Sequence, residues 1–215
     1  MSKKKPFFIV FEGVEGCGKS YQSKKLFNNL KKKKIKALIT REPGGTKSAE
    51  LIRNLILKDY FNKSNLEKFD KYTDTLLYLA ARNEHVKTKI KPALKQKRVV
   101  ICDRFIDSTI AYQVYGKKVN IKFIKNIHKY ILNGLKPNLT FVLKVSSKSS
   151  SKRLLKRKIK NRYDNFSQSF YTKAQKSFVK LSKNKRNYFV LDSSANDSSL
   201  ENKIFKIVNR FLKIQ

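Results

Sequence analysis

The sequence predicts an α/β fold, a three-layer arrangement in which a five-stranded, mostly parallel sheet is flanked by helices. Two observations carry this. Five short apolar runs of strand length recur along 215 residues, with longer helical stretches between them. The first of those runs leads into Gly13-Val14-Glu15-Gly16-Cys17-Gly18-Lys19-Ser20, a full match to the G-x-x-x-x-G-K-[ST] loop that joins a buried strand to a helix. Alternating strand and helix implies a sheet covered on both faces.

Taken in order, a strand over 7–11 ends at Glu12, and a helix over 20–33 follows the loop. A strand over 37–40 and a helix over 48–57 come next. Residues 71–97 are long enough for a helix that bends or restarts near Pro92, which cannot donate to the helical ladder. Strands over 99–103, 139–145 and 188–191 alternate with helical patterns over 121–132, 150–160, 169–182 and 200–212. The serine-rich stretches 146–151 and 193–199 read as polar connectors, so residues 1–215 are expected to form one domain. In parallel sheets ligands bind beyond the carboxyl ends of the strands, so Glu12, Thr40, Asp103 and Leu191 should meet at one crevice.

Composition narrows the function. No run of about 18 apolar residues exists, which argues against a membrane span. The basic start is followed by too short an apolar run for a secretory signal, so a cytoplasmic location is expected. Cys17 and Cys102 fit no metal-ligand spacing and read as free thiols. Lys and Arg number 51 against 15 Asp and Glu, a net charge of +36 that invites a nucleic-acid-binding reading. The lysines are spread over nearly every segment, however, alongside abundant Asn, Ile, Phe and Tyr. Compositional bias toward these residues explains that spread better than a dedicated nucleic-acid surface, and no nucleic-acid-binding motif is present.

Scarce carboxylates make their positions informative. Glu12, Glu15, Glu42, Asp103 and Asp107 all fall at or just after strand ends, where Mg²⁺ and sugar hydroxyls need acceptors. In the loop itself, Gly13 to Ser20 would cradle nucleotide phosphates with backbone N–H groups. Lys19 would reach the β- and γ-phosphates, and Ser20 would ligate Mg²⁺. Thr40-Arg41-Glu42-Pro43-Gly44-Gly45-Thr46 makes a fixed turn whose Arg and Glu suit phosphate and Mg²⁺-water contacts; a plain charged turn is the alternative. Asp103 ends a strand opposite the loop, the usual place for a Mg²⁺-water ligand, and Arg104 beside it can grip phosphate bidentately. Tyr78 and Arg82 share a helix face, where a ring and a guanidinium could hold a flat base; core packing fits the same spacing.

In order and chemistry these segments, together with Phe11-Glu12-Gly13, Asp103 to Gln113 and Asn133 to Thr140, resemble the bacterial thymidylate kinase family. That family, within the P-loop nucleoside monophosphate kinases, phosphorylates deoxythymidine monophosphate (dTMP). The resemblance implies a P-loop NTPase fold with a short helical lid at about 152–168, MgATP as phosphoryl donor and a homodimer. It places Glu15 at the 3′-hydroxyl of the acceptor and makes Glu42, Arg53 and Arg104 its phosphate and magnesium shell. Tyr78 would stack on thymine, Arg82 would bond its O4, and Thr109 and Gln113 would read the base edge. Tyr112 would fill the space of a 2′-hydroxyl. Since Val14-Glu15-Gly16-Cys17 holds no arginine, the resemblance also implies a catalytic lid arginine. Arg157 is favoured, Arg162 is next, and Arg153 is expected to face the donor base or solvent. Asn138 and Lys144 depart from the family's pattern. Rival readings are a kinase of another nucleoside monophosphate and a P-loop nucleic-acid-binding ATPase.

Overall fold

The computed structural model describes residues 5–57, 69–156, 167–195 and 198–213. Strands β1 (Phe7–Glu12), β2 (Ala37–Arg41), β3 (Val99–Asp103), β4 (Leu139–Lys144) and β5 (Tyr188–Asp192) form one sheet in the order β2-β3-β1-β4-β5. Every neighbouring pair is parallel. Chain connections leave β1 toward one side and return on the other, so the sheet's switch point falls at the carboxyl end of β1.

Both faces of the sheet are buried, which is why its strands read as continuous apolar runs. In β1, Ile9 and Phe11 join one core with Leu26 and Leu30 of helix α1 (Lys19–Lys32), Phe178 of α8 (Gln168–Ser182) and Ile204 and Val208 of α9 (Ser199–Leu212). Phe8 and Val10, pointing the other way, pack with Val86, Ile90, Ala93 and Phe105. Cys102 sits in this second core as a buried free thiol, and Cys17 is likewise free and buried.

The remaining helices are α2 (Lys47–Leu57), α3 (Lys71–His85), α4 (Lys91–Lys95), α5 (Ile106–Thr109), α6 (Ile121–Leu132) and α7 (Ser147–Leu155). The bend expected near Pro92 takes the form of a π segment over Val86–Ile90, where the Lys91 N–H donates to Val86 O. Shifting to i→i−5 bonding carries the chain past a residue that cannot donate. Residues 106–116, to which the apolar pattern assigns no element, form α5 followed by a second π segment, Ile110–Gly116. Helix α7 begins before the expected 150, because the Ser146 hydroxyl caps it by accepting from the Ser149 N–H at 3.2 Å. Asn138 is placed to accept from the Phe8 N–H through Oδ1 at 2.7 Å, and Lys144 is exposed at the strand end.

Candidate active site

The carbonyls of the loop after β1 are held by side chains. Arg104 Nη1 donates to Gly13 O at 2.9 Å, Lys19 Nζ to Val14 O at 2.8 Å and Ser150 Oγ to Glu15 O at 2.9 Å. Arg153 Nη1 donates to Gly16 O at 3.1 Å, and Ser193 Oγ to Cys17 O at 2.8 Å. Five consecutive carbonyls are thus engaged by donors from the loop's own lysine, the turn after β3, α7 and the end of β5. Gly16, at φ 71°, lies so close to α7 that a Cβ would sit 2.9 Å from Ser150 O and Oγ. Gly18, at φ 88°, sets the entry to α1.

Two carboxylates line the space beside the loop. Glu15 accepts from Arg104 Nη2 through Oε1 at 2.7 Å and from the Tyr112 hydroxyl through Oε2 at 2.6 Å. Burial pushes its carboxyl up, but Arg104, then Lys19, then the Tyr112 hydrogen bond outweigh it and hold it below the usual carboxylate range. Glu42 accepts from Arg82 Nε at 2.7 Å and faces His85 Nδ1 at 3.1 Å. There too burial is outweighed, by Arg82 and then His85. Both groups are anions and can only accept. At the loop's other end the Ser20 hydroxyl donates to Asp103 Oδ2. A hydroxyl and a carboxylate side by side are the hard oxygen donors that Mg²⁺ prefers.

One cavity of about 420 Å³ collects these groups. Glu15, Gly16, Gly18, Lys19, Ser20 and Asp103 line its loop side, whereas Gly13, Val14 and Cys17 are not among its lining residues. All nine expected acceptor residues line it: Glu15, Glu42, Arg53, Tyr78, Arg82, Arg104, Thr109, Tyr112 and Gln113. Thr109, Tyr112 and Gln113 share one face of the α5 and π segment. Gln113 is 1% exposed, and its Nε2 has no hydrogen-bond partner among the described residues. A buried amide donor facing a cavity without a partner is costly unless a ligand completes it.

A model of the thymidylate kinase family matches residues 11–204. The chain belongs to the thymidylate kinase family. A thymidylate kinase of Aster yellows witches'-broom phytoplasma is 41% identical over 210 residues, 96% of each chain. That of Mycoplasmoides gallisepticum is 33% identical over 211 residues, covering 98% of this chain and 97% of its own. Among solved structures, the thymidylate kinase of Ehrlichia chaffeensis superposes with a TM-score of 0.72 at 31% identity, over 97% of this chain and 99% of that one.

Several expectations require correction. Arg153, expected to face the donor base or solvent, lines the cavity and ties the loop to the β5 end by donating to Gly16 O and, at 2.7 Å, to Ser193 O. It reaches them because α7 packs directly over Gly16. Glu12 and Asp107 are not among the cavity residues. Glu12 accepts from the Phe105 and Ser108 N–H groups at 2.8 and 3.2 Å, and so anchors α5. Burial raises the Asp107 carboxyl while Lys185 and Tyr188 oppose it. Arg157 and Arg162 lie outside the described residues, as does most of the expected lid. Sequence reasoning also missed Ser108, inside the Asp103 to Gln113 string, and His85, three residues along α3 from Arg82. It missed His128 on α6 as well, which no local pattern marks.

Proposed function

We propose that this chain transfers the γ-phosphoryl group of MgATP to the 5′-phosphate of dTMP. The observation that carries this reading is the single cavity in which the phosphate loop faces Tyr78, Arg82, Thr109 and Gln113. With its carbonyls engaged, the loop offers its N–H groups and the N-terminus of α1 to an anion. Lys19 exchanges its carbonyl contact for donor phosphate oxygens. The acceptor phosphate is already nucleophilic, so the site supplies position and charge rather than a base. Arg104 has the opposing influences of burial and Glu15, and the carboxylate wins, so the guanidinium stays charged beside the acceptor phosphate. It stacks over the Tyr112 ring at 5.3 Å.

Glu15 keeps a lone pair on each oxygen for the acceptor's 3′-hydroxyl. The Tyr112 ring, stacked on Phe170 with centroids 5.8 Å apart and set edge-on to Phe178, is a fixed wall where a 2′-hydroxyl would lie. Ser20 and Asp103 would hold Mg²⁺ together with donor phosphates, and the ion when bound neutralises phosphate charge. Arg53, held by donating to Pro43 O at 2.7 Å, and Glu42 complete the phosphate and magnesium shell. A lid arginine, Arg157 first and Arg162 second, meets the charge on the transferred group; this rests on sequence.

The chain acts as one domain with the lid over about 152–168. Leu51 and Leu55 on α2 and Leu76 on α3, which packs against α2, are exposed, Leu51 at 72%, and are apolar contacts suited to a second copy of the chain. No helix among the described residues is long and apolar enough to cross a membrane. A cytoplasmic site of action, with no specific nucleic-acid partner, suits an enzyme of small phosphorylated substrates. The test is a coupled assay of ATP turnover across nucleoside monophosphates and polynucleotides. The reading requires dTMP to be the best acceptor. A purine or cytosine monophosphate used with comparable kcat/KM would defeat it, as would stimulation by polynucleotide alone.

A further inference from the structure

Arg82 is 3% exposed, and its guanidinium lies over the Phe105 ring at 5.3 Å and is held by four acceptors. Nε donates to Glu42 Oε2 at 2.7 Å, and Nη2 donates to Phe105 O at 2.8 Å. Nη1 donates to Thr109 Oγ1 at 2.7 Å and meets His128 Nε2 at 2.8 Å. A guanidinium carries five N–H groups in a rigid fork and accepts nothing. The four bonds therefore use four of the five and leave one N–H on Nη2, next to the cavity that Arg82 lines.

Because arginine only donates, His128 Nε2 is the acceptor of the pair. Its imidazole is neutral, with the ring proton on Nδ1. Burial and then the Arg82 charge push the imidazole down to about 3, so it keeps this role throughout the working pH range. His128 reaches the site from α6, whereas Thr109 and the Phe105 carbonyl follow β3 and Glu42 follows β2. Without the imidazole, Nη1 keeps one buried N–H with no acceptor. Rotation of the fork to recover one would turn the free Nη2 N–H away from its direction into the cavity.

We propose that His128 is a positioning residue for acceptor-base selection, acting through Arg82 to aim the remaining Nη2 N–H at a carbonyl oxygen on the base. This rests on the reading of the cavity as the dTMP site. Two acceptors isolate it: dTMP and 5-methyldeoxycytidine monophosphate differ only along the 4-oxo or 4-amino edge of the base. The full chain and its His128→Ala and His128→Gln variants are assayed with both, along with the KM for ATP. The ratio of kcat/KM for the two acceptors in one sample does not depend on how much of that sample is folded.

His128→Ala should lower the preference for the 4-oxo base about tenfold, the scale of one hydrogen bond to a charged group, through acceptor KM and with ATP KM unchanged. His128→Gln, whose carbonyl reaches about as far as Nε2, should restore the preference to within about threefold. An unchanged ratio in His128→Ala overturns the proposal. So does a glutamine variant as impaired as the alanine one, because bulk rather than an acceptor would then be at work. If the unmodified chain shows no preference between the two bases, the reading of the cavity fails first and takes the proposal with it.

Discussion

Replacing Glu12 by glutamine should stabilise the protein at and above neutral pH and leave it nearly unchanged in acid. Glu12 is 1% exposed at the end of β1. Its Oε1 accepts from the Phe105 and Ser108 N–H groups, and Oε2 lies 2.5 Å from Ser108 Oγ. A glutamine carbonyl can take the two N–H groups, and its amide can donate to the Ser108 hydroxyl, which accepts as well as donates. The shape and the hydrogen bonds survive; the charge goes.

That charge is unfavourable in place. Burial, followed by the negative charge of Asp107, raises the Glu12 carboxyl from 4.5 to about 7, against smaller opposing contributions from Ser108, Arg104 and Phe105. The unfolded chain releases this proton near 4.5, while the folded chain keeps it to about 7. Its contribution to stability is thus fully present below 4.5, declines as pH rises and is lost above about 7. Raising the carboxyl from 4.5 to about 7, at about 1.4 kcal/mol per pH unit, makes the contribution about 3 to 4 kcal/mol. Urea unfolding of the two proteins at pH 4.5 and pH 8 measures it together with its coupling to Asp107, because titrations remote from Glu12 cancel in the difference. The variant should match the parent at pH 4.5 and exceed it by about 3 to 4 kcal/mol at pH 8, with the same m-value. A difference that does not change with pH, or a variant less stable at pH 8, would refute the reasoning.

Lys19→Ala should lower kcat by at least about 10²-fold in a folded protein, because the ammonium meets charge that grows in the transition state; near-normal turnover excludes that role. Arg153→Ala frees the Gly16 carbonyl and should raise the KM for ATP about tenfold with acceptor KM little changed, the scale of one charged hydrogen bond. Equal effects on both substrates would point instead to general loosening. Tyr112→Ala should narrow the preference for deoxyribo over ribo acceptors, measured as a kcat/KM ratio. Any polynucleotide binding should be nonspecific and fall steeply between about 50 and 200 mM salt, as charge alone requires; sequence-selective binding that survives would restore a nucleic-acid role.

What the sequence by itself determined are the features encoded within a few residues of one another. The phosphate loop is legible because its glycines, lysine and serine must stand at fixed spacing between a buried strand and a helix. The strands are legible because both faces of a parallel sheet are covered, which writes unbroken apolar runs into residues 7–11 and 99–103. Tyr78 and Arg82 come to the same cavity because one helical turn separates them.

Tertiary structure alone decided where the longer-range partners meet. Glu12 and Asp107 look like their neighbours Glu15 and Asp103 in the sequence, yet Glu12 is taken up by the Phe105 and Ser108 N–H groups and Asp107 meets Lys185 and Tyr188, so neither lines the cavity. Arg153 holds the loop 137 residues before it because α7 packs there. His128 supports Arg82 across 46 residues because α6 lies beside α3. Such contacts carry no periodicity and no spacing. They depend on how whole elements pack, and a donor as polar as Arg82 can be buried only where several distant segments each bring it an acceptor.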